Sequence, residues 1–156
     1  MRKDNMFENY SETIFYQISL TARYQKLLIL DYFSQIGLDM NPDEFLALDI
    51  ISINPGICQR DLAKEILKDR AGTGRILLSL EAKGLVERFV TTKGNRLVRS
   101  MKLTETGEKA LKKAQEKLMP SILKMKELFP QEDVDELKKM LNKIRSVLSE
   151  HVQTNI

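Results

Sequence analysis

A mainly α-helical fold carrying one small two-stranded β-hairpin is what this 156-residue sequence predicts, and three observations predict it. The run from Asp69 to Arg88 reads as a helix that Gly84 closes and that passes directly into an extended segment, Leu85-Val86-Glu87-Arg88. Two short strand-like runs, about Val86 to Thr91 and Leu97 to Leu103, flank a polar tip of Thr92, Lys93, Gly94 and Asn95, which is a hairpin pattern. Long stretches with helical apolar spacing lie on both sides. Together these describe a winged helix-turn-helix over residues 42–104 between N- and C-terminal dimerisation helices, residues 1–41 (with a linker) and 105–156.

Each element has its own signal. Residues from about 7 to 35 carry Phe7, Ile14, Ile18, Leu20, Leu27, Leu28 and Leu30, with Ile36 just beyond, more apolar positions than a helix packing on one small domain needs. Asn41-Pro42-Asp43-Glu44 opens a second helix through Phe45, Leu48, Ile51 and Ile53, and Asn54-Pro55-Gly56 ends it. Gln59 to Leu67 sets Leu62, Ala63 and Ile66 on one face, short enough for the first helix of a helix-turn-helix. Lys68 and Asp69 form the turn, and Asp69 can cap the next helix. In that helix Thr73, Ile76, Leu77 and Leu80 make a packing stripe, and Arg75, Ser79 and Ala82 make another that can touch a ligand or DNA. Thr104 caps a long helix over residues 105–128, in which Pro120 predicts a kink. After Phe129-Pro130 a last helix, about Glu132 to His151, repeats Val134, Leu137, Leu141, Ile144, Val147 and Leu148 at helical spacing. Terminal helices with this much surplus apolar surface are expected to bury it against a second copy of the chain.

Composition narrows the functional classes. A 42% hydrophobic, 30% charged chain of this length supports one ordinary core. No apolar run approaches membrane-spanning length, and the N-terminus leads into no signal-peptide core, so a cytoplasmic protein is expected. One cysteine excludes an intramolecular disulfide and a cysteine-built metal cage. The single histidine, His151, has Glu150 beside it but no nucleophile or metal cluster, so neither an enzyme nor a cofactor is expected. The net charge of +3 is unevenly spread. Residues 1–58 hold 4 Lys/Arg against 8 Asp/Glu, residues 59–102 hold 11 against 5, and residues 103–156 hold 10 against 9. The positive excess therefore sits on the helix-turn-helix and wing, where neutralising phosphate and releasing counterions would need it.

Three stretches carry a resemblance: Gln59-Arg60-Asp61-Leu62-Ala63; Leu80-Glu81-Ala82-Lys83-Gly84-Leu85-Val86-Glu87-Arg88; and Leu103-Thr104-Glu105-Thr106-Gly107. In this order and spacing they resemble the MarR-type transcriptional regulators, dimeric winged helix-turn-helix proteins that are mostly repressors. The resemblance implies interleaved terminal helices, one recognition helix per subunit in successive major grooves of a pseudo-palindromic double-stranded DNA operator, and release by a small aromatic or phenolic ligand. Two features depart from the family pattern. Gly72 and Gly74 occupy positions where small polar or β-branched side chains are common, each giving up about 1 kcal/mol of helix propensity. At the wing tip Asn95-Arg96 stands where an Asp-Arg pair is usual, with Leu97 in place of a second arginine.

The expected DNA-binding residues follow from position. Arg75 and Ser79, one turn apart, are expected to face the major groove, Arg75 foremost. Arg70 and Thr73 lie at the helix N-terminus, which favours phosphate. Gln59 and Arg60 begin the preceding helix and can clamp the backbone, while Lys93, Asn95 and Arg96 belong to the wing, with Arg96 able to enter a narrow minor groove. By resemblance, Phe15, Tyr16, Arg23 and Tyr24 are the candidates to line a ligand cleft, with Arg23 matched to a carboxylate; the alternative for these aromatics is interface core. Cys58, just before a helix, is either a redox sensor or a small buried hydrophobe. Leu78, exposed by periodicity, stands where the family has a polar residue, unless it packs on a neighbouring helix. The alternatives to a ligand-released repressor are a regulator that senses oxidant through Cys58, and a helical dimer whose degenerate winged domain binds protein.

Overall fold

The computed structural model describes residues 9–152 and divides the chain into two units, Met1–Pro42 and Asp43–Ile156. In the first unit a short 3₁₀ turn, Tyr10–Glu12, precedes α1, Ile14–Gln35. The helix starts later than the apolar periodicity suggested, because the Thr13 side chain caps it by accepting from the Tyr16 amide. Phe7 lies outside the described residues. In α1 the residues Ile14, Phe15, Tyr24, Leu27, Leu28 and Leu30 are exposed within the single chain.

The second unit runs α2 (Pro42–Ile53), α3 (Gln59–Glu65), α4 (Arg70–Ala82), β1 (Val86–Lys93), β2 (Arg96–Leu103), α5 (Glu105–Leu128) and α6 (Gln131–His151). Its core is built from Ala47, Leu48 and Ile51 of α2, Leu62 and Ala63 of α3, Leu77 and Leu80 of α4, and Met101 of β2, all buried. The helix α3 ends two residues before Leu67, which adopts φ +50°, a left-handed conformation that turns the chain sharply into α4. The strands are longer than the sequence pattern indicated, since Lys93 and Arg96 pair as the last rung and only Gly94 and Asn95 form the loop. A two-residue loop matches the twist of the flanking strands, so pairing continues to its edge. The segment before α3 adds a further short pairing: the Gly56 amide donates to Met101 O at 2.9 Å, and the Met101 amide donates to Ile57 O at 3.0 Å.

The corner between α4 and β1 explains two of the sequence motifs together. Gly84 (φ +67°) ends α4 with its amide on Glu81 O, and the Leu85 amide reaches back to Leu80 O, both bonds 2.9 Å long. Thr104 then locks this corner to α5: its hydroxyl donates to Gly84 O at 2.6 Å and its amide to Leu85 O at 3.0 Å. Gly107 packs so tightly here that a Cβ would lie 2.0 Å from Leu85 O. The helix α5 runs continuously through Pro120. Beyond Leu118 its apolar residues Met119, Ile122, Leu123, Met125 and Leu128 are exposed, and α6 buries no residue at all within the single chain.

Candidate nucleic-acid interface

The site is organised by α4, whose start is set by side-chain chemistry. Asp69 caps it by accepting from the Gly72 amide, and the buried Thr73 hydroxyl donates to Asp69 O at 2.9 Å. Gln59, at the start of α3, donates from Nε2 to Arg70 O at 3.1 Å and so ties the two helices of the motif together. A Cβ on Gly74 would lie 3.3 Å from that same Nε2, and one on Gly72 would lie 2.9 Å from the capping Asp69 carboxylate. Both glycines are thus crowded by neighbouring side chains of the same motif.

On the opposite flank a buried carboxylate grips the second half of α4. Glu44, 2% exposed, accepts from the Ser79 hydroxyl at 2.5 Å and from Lys83 Nζ at 2.9 and 3.0 Å. Its neighbour Asp43 pairs with Lys68 at 2.9 Å, beside the α4 N-terminus. Consecutive acidic residues at the entry to the domain therefore meet the turn before α4 and the last turn of α4 itself. The sequence showed these two only as part of the segment that opens α2; that Glu44 is buried depends on α4 packing over it.

Two expected contact residues change role. Ser79 does not face outward: its half-buried hydroxyl belongs to Glu44, because it sits on the α2 side of α4. Thr73 is fully buried, so its side chain packs the motif and cannot reach a ligand. What α4 turns to solvent is Ala71, Arg75, Leu78 and Ala82, with Arg70 exposed at the helix start. An open groove of about 490 Å³ runs along this region, lined by Asp43, Leu67, Lys68, Asp69, Gly72, Arg75 and Ile76. Arg60 is exposed and lies 3.6 Å from Asp61.

Asn95, Arg96 and Leu97 are exposed at the wing tip. At the wing base, Arg88 of β1 pairs with Glu81 of α4 at 2.8 Å, fixing the hairpin to α4. The Cys58 thiol donates to Asp61 at 3.2 Å, and Cys58 bridges Ser100 of β2, so this residue joins the start of α3 to the wing.

The four candidates for a ligand cleft lie on α1, in the other unit. Seven residues apart, Tyr16 and Arg23 share a face, whereas Phe15 and Tyr24, nine apart, stand about 180° from each other around the helix. The Tyr16 ring meets Tyr10 edge-on, with centroids 6.2 Å apart. Among the described residues no cluster of His, Cys, Asp or Glu is arranged to hold a metal ion, and no helix is long and apolar enough to cross a membrane.

The sequence model of the MarR family matches residues 38–96, which span α2, the helix-turn-helix and β1. No curated protein sequence matches the chain. Among solved structures the chain is similar to S. aureus MepR in complex with DNA, at 20% identity and TM-score 0.78, covering 90% of this chain and 99% of that one. It is similar to CouR, a transcriptional repressor bound to a 23-mer DNA duplex, at 24% identity and TM-score 0.74, covering 86% and 94%. It is also similar to apo MarR from E. coli, at 22% identity and TM-score 0.66, covering 85% and 96%. These likenesses establish a shared fold over nearly the whole chain.

Proposed function

We propose, from the match of residues 38–96 to the MarR family, that the chain is a sequence-specific, DNA-binding transcriptional regulator that acts as a homodimeric repressor. The observation that carries the reading is the outward face of α4: Arg75 stands on a helix anchored near its start by Gln59 on Arg70 O and near its end by the buried carboxylate of Glu44. A helix anchored in this way, with an exposed guanidinium at the middle of its outward face, is what reading a base edge requires, because discrimination depends on placing a bidentate donor within hydrogen-bond reach of one base. Arg60 and Arg70 supply phosphate contacts, Gln59 sets the helix they flank, and Lys93, Asn95 and Arg96 form the wing, with Arg96 in the minor groove. Ser79 and Thr73 serve by positioning α4.

Dimerisation follows from the apolar residues that α1, α5 and α6 leave exposed within one chain. Two recognition helices related by a twofold axis read half-sites about 10 base pairs apart on a pseudo-palindrome. Release is by a small aromatic or phenolic ligand, for which Tyr16 and Arg23, on one face of α1, offer a ring and a carboxylate partner; Phe15 and Tyr24 complete the candidate set from the other sides of the helix. The MarR-family match and the DNA complexes of MepR and CouR support this reading.

The test is duplex binding across a salt series with sequences selected from a random pool. Arg75→Ala is expected to cost about 1–3 kcal/mol and relax preference at one position per half-site. Arg96→Ala is expected to weaken selected and scrambled duplexes alike and to flatten the salt dependence. Equal, sequence-independent losses from both would refute the assignment of Arg75, and a stable monomer with full affinity for one half-site would refute the dimer.

A further inference from the structure

Beyond Arg70 at its start, the exposed residues of α4 are Ala71, Arg75, Leu78 and Ala82, which follow one another at spacings of four, three and four and so form a single line along the helix. Three of the four are apolar, and Leu78 is 62% exposed. The polar residues at the edges of this line are already engaged: Ser79 and Lys83 with Glu44 on one side, Gln59 with Arg70 O on the other. Besides Arg75, the line therefore has almost no hydrogen-bonding capacity to offer a base.

An apolar side chain in the major groove has one feature to recognise, the C5-methyl group of thymine. Resting on the reading of α4 as the DNA-contacting helix, we propose that this face selects its target through thymine methyl groups, met by Leu78 and Ala71, on either side of a guanine read by Arg75. The order follows the helix: Leu78 stands about 4.5 Å beyond Arg75 along the axis, close to the roughly 3.4 Å between successive bases, so the two side chains address neighbouring base pairs. DNA is the occupant that the surroundings favour. The line contains an arginine, begins beside exposed Arg70, and belongs to the segment 59–102, with 11 Lys/Arg against 5 Asp/Glu. A protein partner on the same apolar residues would have to bury Arg75 with them.

The experiment replaces each thymine of the pool-selected operator in turn with deoxyuridine, which removes the methyl group and leaves every hydrogen-bonding atom in place. For the wild-type protein we expect one or two positions per half-site at which uracil weakens binding about three- to fivefold, the value of one methyl buried on apolar surface. In Leu78→Ala the penalty at its position disappears while a penalty assigned to Ala71 remains. Leu78→Ala should fold normally, since the side chain is mostly exposed and alanine favours the helix; an unchanged urea midpoint checks this. Uracil tolerated at every thymine, an unchanged penalty in Leu78→Ala, or a selected half-site without thymine next to the guanine would overturn the inference while leaving DNA binding intact. Absence of salt-sensitive duplex binding by the wild type would instead overturn the functional reading beneath it, and loss of self-association in Leu78→Ala would assign the face to a protein contact.

Discussion

The pair that holds the end of the recognition helix can be tested by an asymmetry in what each partner leaves behind. Lys83→Met strips the ammonium from a carboxylate that is 2% exposed, whereas the lysine side chain is itself 25% exposed and can reach water if Glu44 is changed. Breaking a buried pair from the carboxylate-stranding side costs about 3–5 kcal/mol, which partial solvation of this pair reduces to about 2–3 kcal/mol. Glu44→Gln keeps an oxygen for the Ser79 hydroxyl and lets Lys83 turn outward, so about 1 kcal/mol is expected. Urea unfolding at one fixed protein concentration, with the slope checked for constancy, measures both. DNA affinity adds a test of sign. Removing a negative charge near a polyanion should by electrostatics alone strengthen binding, but if Glu44 orients α4 then Glu44→Gln weakens it. A Lys83→Met loss no larger than that of Glu44→Gln, or tighter duplex binding by Glu44→Gln, would refute the reasoning.

Three further outcomes are expected. Gly107→Ala would drive a Cβ to 2.0 Å from the Leu85 carbonyl oxygen, a backbone atom that cannot step aside. Despite the better helix propensity of alanine the variant should lose about 3 kcal/mol in urea unfolding, and a neutral result would mean the α5–wing corner is loose. Leu67→Gly should be neutral or stabilising by up to about 1 kcal/mol, because glycine relieves the φ of +50° at a side chain that is 72% exposed; a clear destabilisation would show that the leucine side chain packs. Cys58→Ser should retain DNA binding, with peroxide releasing neither protein from its operator, since the thiol is engaged with Asp61; a thiol-reversible release seen only with Cys58 present would make it a redox switch.

Local chemistry made much of this chain legible in its sequence. The cap at Asp69, the glycine stop at Gly84, the cap at Thr104 and the wing hairpin are each decided within a few residues, and each stands where the spacing put it. Element ends were less legible. The two-residue loop let pairing run to Lys93 and Arg96, and the Thr13 cap moved the start of α1 to Ile14. Of the outward stripe Arg75, Ser79 and Ala82, Arg75 and Ala82 are exposed, as is Leu78, and Ser79 alone departs. Ser79 lies at the flank, where its exposure depends on whether another helix covers it, and α2 does. The same packing buried Glu44, which in the sequence is part of the Asn41-Pro42-Asp43-Glu44 opening of α2. Sequence by itself determined the order of elements, the location of positive charge and Arg75 as the outward cation, since these need only periodicity and composition. Tertiary structure decided which polar residues of the motif remain available and which are consumed in holding it, because a side chain's partners 35 or 39 residues away, as for Ser79 and Lys83 with Glu44, come together only when the helices pack.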